Sequence, residues 1–380
     1  MKQIKFHKPN ISKKEISSVI KVIKSGWLTT GQKVKEFEKD FTTIFKKKVY
    51  CSAINSCTSG LFLALKACGV KRGDEVITSN LTFTSTISSI YHCGAKPVIV
   101  DVDPENLNLC LDEVKKKINK KTKCIIAVHY AGYPVDLGNL KKIIKNRNIK
   151  IIDDAAHCLP SKYKDTMIGE TISDISVFSF YVTKTITTGE GGMVVSRNKK
   201  LIDFIKKNSF HGIDKDVYSR YNTINKQWNY DVKFAGYKFN MTDINAALGV
   251  EQLKKMLLNY RKRSKIFSTY KLLLNNNPLI KIPLSNNQNF QSSKHLFVIR
   301  ISNNLRDKVA HNLVKNGIGV SLHYVPIHRH TFWKKQLNMY RKNYNNSEAA
   351  YKEMLSLPIY PDLKINDVKK ICFIINRTFV

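Results

Sequence analysis

No stretch of the sequence is apolar enough for long enough to span a bilayer, and its start, MKQIKFHKPN, lacks the apolar core of a signal peptide. Membrane insertion and secretion are not expected, and a cytoplasmic location is. Cysteine pairs are missing too. The eight cysteines stand at 51, 57, 68, 93, 110, 124, 158 and 372 with no C-x-x-C among them. That argues against a zinc cage, and runs such as CIIAV are ordinary places for buried free thiols. No Pro/Gly/Ser-rich linker divides the chain, and no repeat of the roughly 20–50-residue period of solenoids occurs. Acidic residues are scarce: 29 Asp and Glu face 64 Lys and Arg, a formal charge of +35. Such an excess invites nucleic acid as a partner. Yet lysine and asparagine are abundant all along the chain, and runs such as EVKKKINKKTK carry no interleaved aromatic stacking groups. The charge is read as compositional bias with no nucleic-acid partner, some of it serving to attract a diphosphate-bearing substrate.

What is present fits a folded α/β protein. The 380 residues, 43% hydrophobic and 10% aromatic, suffice for a large domain and a smaller one. From about residue 49, the β-rich runs VYCSAIN, EVIT, PVIVDVD, CIIAVHY, IKIIDD, ISVFSFY and MVVS alternate with helical segments such as SGLFLALKACG and DLGNLKKIIKNRN. The alternation predicts a mostly parallel central sheet covered by helices on both faces. Residues 1–30 read as an N-terminal arm with its own short helix, 31–250 as a large domain, and 251–380 as a connecting helix and a small C-terminal α/β domain. One long helix is expected over about Asp243 to Leu273, with LFVIRIS and IGVSLHY as strands beyond it.

Three segments carry chemistry. In FSFYVTKTITTGEGG (178–192) a strand is expected to end in Lys184, followed by a Gly-rich turn. A lysine at the open edge of an α/β sheet suits a Schiff base, since burial and imine formation lower its basicity. Lysines are solvated surface groups by default, so the context carries the reading. In KIIDDAAH (150–157) an acid pair closes an apolar strand. Asp154 could partner a protonated pyridine nitrogen or merely cap the next helix. In NSCTSGLFLAL (55–65) Thr58, Ser59 and Gly60 open a helix after a strand, either an ordinary cap or a phosphate site. Together the segments offer the three fixed points that pyridoxal 5'-phosphate (PLP) requires.

The chain resembles the DegT/DnrJ/EryC1/StrS sugar aminotransferases, fold type I PLP-dependent transferases, nearly end to end. The likeness lies in SGWLTTG, NSCTSG, GDEVIT, PVIVDVD, VHYAGYPVDL, DDAAH, the lysine segment, FHG, GYKFNMTDINAALG, HLFVIR, LHYVPIH and SLPIYP. Within the family it is most similar to the UDP-4-amino-4-deoxy-L-arabinose:2-oxoglutarate aminotransferases, and it also resembles the enzymes that make 4-amino-4,6-dideoxy sugars. The resemblance implies that Lys184 binds PLP and moves the proton, that Asp154 pairs with the pyridinium, and that His157 lies beside the ring oxygen. It further implies that Phe83 stacks on the ring, that Thr58, Ser59 and Ser179 hold the phosphate, and that Asn240 reaches the phosphate of a partner subunit. Phe210, His211, His323 and Tyr324 fall where the family faces a sugar nucleotide. The expected reaction takes an amino group from glutamate, releasing 2-oxoglutarate, and gives it to a nucleotide-linked 4-keto sugar, in a homodimer with shared sites. Asp153 stands where Glu is usual and Ser79 where Pro is common. A dehydratase branch replaces the lysine with histidine, and this chain keeps Lys184.

Other readings are weaker. A cysteine desulfurase would need a reactive cysteine in a mobile loop, and none of the eight stands out; an amino-acid transaminase would share the PLP site. His323, His328 and His330 lack the companion Cys or carboxylates of a metal site, and no metal is expected. Glu190 in TTGEGG reads as a turn residue.

Overall fold

The computed structural model describes residues 3–145, 147–214, 229–283, 289–340 and 343–379. In chain order its first strands are β1 (Tyr50–Ile54), β2 (Glu75–Ser79), β3 (Lys96–Val100), β4 (Thr122–Val128) and β5 (Lys150–Asp154). Then come β6 (Lys162–Tyr163), β7 (Thr166–Met167), β8 (Ile175–Ser179) and β9 (Gly192–Ser196). Beyond these lie β10 (Ile280–Lys281), β11 (Phe290–Gln291), β12 (Phe297–Ile301) and β13 (Met354–Leu357). Seven strands form one sheet in the order β1-β9-β8-β5-β4-β2-β3. The ladders from β8 to β3 are parallel, and β9 runs antiparallel to both its neighbours.

The strands read as continuous apolar runs because both faces of the sheet are covered. Alternation sends Ile125, Ile151, Phe178 and Val195 into one core with Phe37 and Phe41. Their neighbours Ile126, Ile152, Val177 and Val194 enter the opposite core with Leu61 and Leu65. The same alternation separates Asp153 and Asp154, the two acids that end β5. A further core gathers Tyr270, Phe297, Leu313 and Ile371 around the three-stranded sheet β10-β12-β13. The N-terminal segment joins it: Ile4 is buried there and exchanges backbone hydrogen bonds with Gly317 and Gly319. The short helix expected in the arm spans Lys13–Ser25, opened by a Ser12/Glu15 capping box. Among the described residues no helix is long and apolar enough to cross a membrane.

Three local expectations are corrected. The helix foreseen over 243–273 is two helices, Asp243–Lys254 and Met256–Leu274. The break falls at Lys255, whose ammonium is tied to the buried Glu15 carboxylate and to the Asn10 carbonyl. IGVSLHY forms no continuous strand, because Ile318 bridges to Ile4 whereas Ser321 bridges to Ser356. Nor does Lys184 end a strand. β8 stops at Ser179, and Thr187 Oγ1 and the Thr188 N–H both bond the Phe180 carbonyl, closing a loop that holds Lys184 outside the ladder.

Candidate active site

At the C-terminal edge of the parallel strands lies a cavity of about 550 Å³. Ligands of open α/β sheets bind at this edge. Its floor is the start of the helix Cys57–Ala67, which follows β1 after Asn55 and the cap Ser56. Ser56 Oγ accepts from the Ser59 N–H at 3.1 Å. The first intrahelical bond runs from the Gly60 N–H to the Ser56 carbonyl, so the amides of Cys57 and Thr58 before it have no intrahelical acceptor and the positive end of the helix opens on the cavity. The first residue of β9 must be glycine here. A Cβ on Gly192 would stand 2.9 Å from the Cys57 nitrogen and from the Phe178 carbonyl oxygen. Thr58 and Ser179 line the same end of the cavity.

Asp154 and Lys184 meet in the cavity wall. Asp154 Oδ2 accepts from Thr86 Oγ1 at 2.8 Å, and Oδ1 from the Ala156 N–H at 3.3 Å. Burial pushes its carboxyl up, and these two donors oppose that shift. Asp153 points to the other face. Its two oxygens accept from Ser173 Oγ and Ser176 Oγ, each at 2.7 Å, and His129 Nε2 lies 3.2 Å from Oδ1. Only Asp154 faces the cavity. Burial draws the Lys184 amine down to about 8 against the pull of Cys57 and Asp154, so it gives up its proton far more readily than a surface lysine.

Aromatic rings close the cavity. Phe83 precedes the helix Thr84–His92, and its ring centroid is 5.8 Å from that of Tyr324. The Tyr324 hydroxyl pairs with His157 Nε2 at 2.8 Å. Burial holds His157 well below the ordinary histidine range, with Lys184 and His323 adding to the effect, so the ring stays neutral. His323 is drawn down to about 3 by burial and the charge of Lys184. Its Nδ1 pairs with Ser356 Oγ at 2.9 Å, and its ring stacks on Phe6 of the N-terminal arm.

Thus Thr58, Phe83, Asp154, His157, Ser179, Lys184, His323 and Tyr324 converge on one cavity. Four of the expected site residues do not line it. Ser59 Oγ is engaged by Asn55 Oδ1 (2.7 Å) and Ser56 Oγ (2.9 Å), inside the helix cap. Asn240 donates to Thr30 Oγ1 and accepts from Lys238 Nζ at 2.7 Å, beside the end of β1. Phe210 bridges to Lys238, whose ammonium sits 4.4 Å from the phenyl centroid, and the His211 N–H bonds the Tyr237 carbonyl. Sequence reasoning missed Ser56, Thr86, His129 and Tyr181, and also His295, whose ring lies 4.5 Å from His157. Thr86 carried a usable signal, one helical turn past the aromatic of LTF. His295 carried none, since only the tertiary fold places it behind His157. Glu190 is a turn residue that also borders the cavity. Among the described residues no cluster of His, Cys, Asp and Glu is arranged to hold a metal ion.

Comparison with known proteins places the chain in a family. The chain is 38% identical over 365 residues to the spore coat polysaccharide biosynthesis protein SpsC of Bacillus subtilis, covering 95% of this chain and 93% of that one. The putative sugar aminotransferase Spr1654 of Streptococcus pneumoniae, in its PMP form, superposes with a TM-score of 0.90 at 31% identity, over 99% of this chain and 98% of that one. PseC of Helicobacter pylori, an aminotransferase of pseudoaminic acid biosynthesis, superposes with a TM-score of 0.90 at 28% identity, over 100% and 99% of the two chains. The family model described as the DegT/DnrJ/EryC1/StrS aminotransferase family matches residues 9–376, and the chain belongs to that family.

Proposed function

We propose that this enzyme takes the amino group of glutamate and transfers it to the ketone of a nucleotide-linked sugar, at the 4-position, with PLP held in the cavity. The observation that carries the reading is the meeting of a depressed lysine amine, a buried carboxylate and an open helix N-terminus in one space. That donor set fits PLP. The Cys57 and Thr58 amides, with the Thr58 and Ser179 hydroxyls, would hold the phosphate; Ser59 would act through the cap. Asp154 would keep the ring nitrogen protonated, Phe83 would stack on the ring, and His157 with Tyr324 would face its oxygen. When bound, the cofactor supplies the electron sink for breaking a C–H bond beside nitrogen.

The chain's own groups do the rest. Lys184 Nζ takes the α-proton of glutamate and later delivers a proton to the carbon that was the sugar ketone. A neutral fraction of the amine at working pH makes it competent for both directions. Tyr324 and His323 would face the sugar from the same chain. Phe210, His211 and Asn240 would serve the site of a partner subunit, which gives them a role despite lying off the cavity of their own chain. The surplus positive charge would favour a diphosphate-linked substrate over neutral sugars. Residues 1–30, 31–250 and 251–380 would act as arm, cofactor domain and substrate-side domain, in a cytoplasmic homodimer. The product would be an amino sugar for lipopolysaccharide or another surface glycan, a reading supported by the polysaccharide role in the name of SpsC. A desulfurase is disfavoured, because none of the eight cysteines is exposed and burial pushes the Cys57 thiol up. Transfer of labelled nitrogen from glutamate to a keto sugar nucleotide tests the reaction directly.

The shared site has its own test. Lys184→Ala and Asn240→Ala homodimers should each be impaired, and mixing them under subunit exchange should restore activity. A heterodimer then has one site with both defects and one with neither, so recovery should approach roughly half the native rate per dimer. Verified exchange without recovery would place Asn240 in its own subunit's site or in none.

A further inference from the structure

The loop that carries Phe83 and the segment that carries Tyr324 come from distant parts of the chain, and one compact network joins them. Asn80, fully buried just beyond β2, turns three of its polar atoms to residues 327–347. Its carbonyl accepts from the Ile327 N–H at 2.9 Å, and its Oδ1 from the His328 N–H at 3.3 Å. Its Nδ2 donates to His328 Nδ1 at 2.7 Å and to Ser347 Oγ at 2.6 Å. Because His328 Nδ1 accepts, its partners assign the ring proton to Nε2, which donates to Glu348 Oε1 at 2.6 Å. Arg329 holds Glu348 through Nε and Nη2 at 2.6 and 2.7 Å, and Tyr344 stacks on the His328 ring. His328, considered above as a metal ligand, has both ring nitrogens engaged in this network.

Phe83 lies three positions past Asn80, and His328 four positions past Tyr324, so short segments tie the network to both walls of the cavity. A second tie is parallel to it: Trp333 Nε1 donates to Thr84 Oγ1 at 2.8 Å. We propose that Asn80 and His328 are positioning residues, whose clasp fixes the gap between Phe83 and Tyr324 and so aligns cofactor ring and sugar between them. The proposal rests on the reading of that cavity as the PLP and sugar site. Displacing such walls by even a fraction of a bond length is costly for catalysis, because reacting groups must be held within tight tolerances.

The test compares His328→Ala, His328→Asn, His328→Gln, Asn80→Ala and the double variant Asn80→Ala/His328→Ala. PLP affinity is read by absorbance titration of the apo protein, alongside kcat, KM for the keto sugar and Tm. His328→Ala should weaken PLP binding and raise KM by about tenfold or more, beyond what its change in Tm accounts for. His328→Asn places an acceptor where Nδ1 was, keeps the bond from Asn80 and should restore most of the loss. His328→Gln reaches Glu348 but not Asn80 and should not. The double variant should be no worse than the more damaged single one, as partners in one contact are non-additive. Wild-type PLP affinity and KM in His328→Ala, additive effects, or rescue by Gln equal to that by Asn would overturn the clasp. If the wild-type protein transfers nothing to keto sugars, the substrate reading fails, and the PLP titrations still decide the clasp.

Discussion

Lys184→Ala is expected to abolish turnover while leaving the fold intact. The residue sits in a turn outside the sheet ladder, and its one backbone bond, from its N–H to the Tyr181 carbonyl at 2.9 Å, survives in alanine. Its side chain borders the cavity and not the core, so truncation opens no void among packed groups. Burial already disfavours the charged amine, and removing it relieves that penalty. The melting temperature should stay within a few degrees of the native value. Turnover should fall by at least about four orders of magnitude, since no neighbour can replace a positioned amine that both binds and moves the proton. His157 is held neutral and committed to the Tyr324 hydroxyl, and the two nearby hydroxyls of Thr58 and Ser179 are poor bases at neutral pH. Turnover of keto sugar at the native rate in this variant would show that the wrong lysine has been chosen.

The two acids of β5 should separate catalysis from stability. Asp154→Asn can keep its oxygen on the Ala156 N–H and turn its amide to Thr86 Oγ1, a hydroxyl that can also accept, so the fold should tolerate it. What it loses is the charge that sustains a protonated ring nitrogen, and each half-reaction should slow by about 2 kcal/mol or more in barrier height. Asp153→Asn has the opposite profile. Asp153 serves three buried partners, with Oδ1 facing Ser173 Oγ and His129 Nε2 and Oδ2 accepting from Ser176 Oγ, and an amide cannot satisfy all three. A stability loss of about 1–3 kcal/mol with milder kinetic damage is expected, the cost of a buried hydrogen bond left unmade. Measuring Tm and single-turnover rates for both variants checks this. Equal kinetic damage from the two would mean that the cavity-facing acid has been misassigned.

Much of this was legible in the chain. The seven β-rich runs, VYCSAIN to MVVS, are the seven strands of the main sheet, because a sheet covered on both faces writes itself as unbroken apolar stretches. The acid pair, the capped helix start and the Gly-rich lysine segment were visible as motifs, since local backbone demands select their residue types. Placement was harder. Lys184 could not be seen to leave the sheet, because the bonds from Thr187 and Thr188 to Phe180 that exclude it close a local loop that apolar periodicity does not report. The break at Lys255 depends on Glu15, some 240 positions away in sequence, and periodicity cannot report such a partner. His295 behind His157, and the Asn80–His328 clasp, are likewise products of the way distant segments meet. Asn240, Phe210 and His211 lie off the cavity of their own chain, and the subunit-exchange experiment tests the role proposed for Asn240.

Amino transfer from glutamate to a nucleotide-linked keto sugar can be followed through its nitrogen. The purified enzyme, supplied with PLP, is incubated with ¹⁵N-labelled glutamate and a panel of UDP-, GDP- and dTDP-linked 4-keto sugars, and products are read by mass spectrometry. The expected products are 2-oxoglutarate and one ¹⁵N-bearing amino sugar nucleotide in equal amounts, with neither formed by Lys184→Ala. Release of 2-oxoglutarate with the label passing only to keto acids, or no labelled sugar from any acceptor while PLP remains bound, would contradict this reaction.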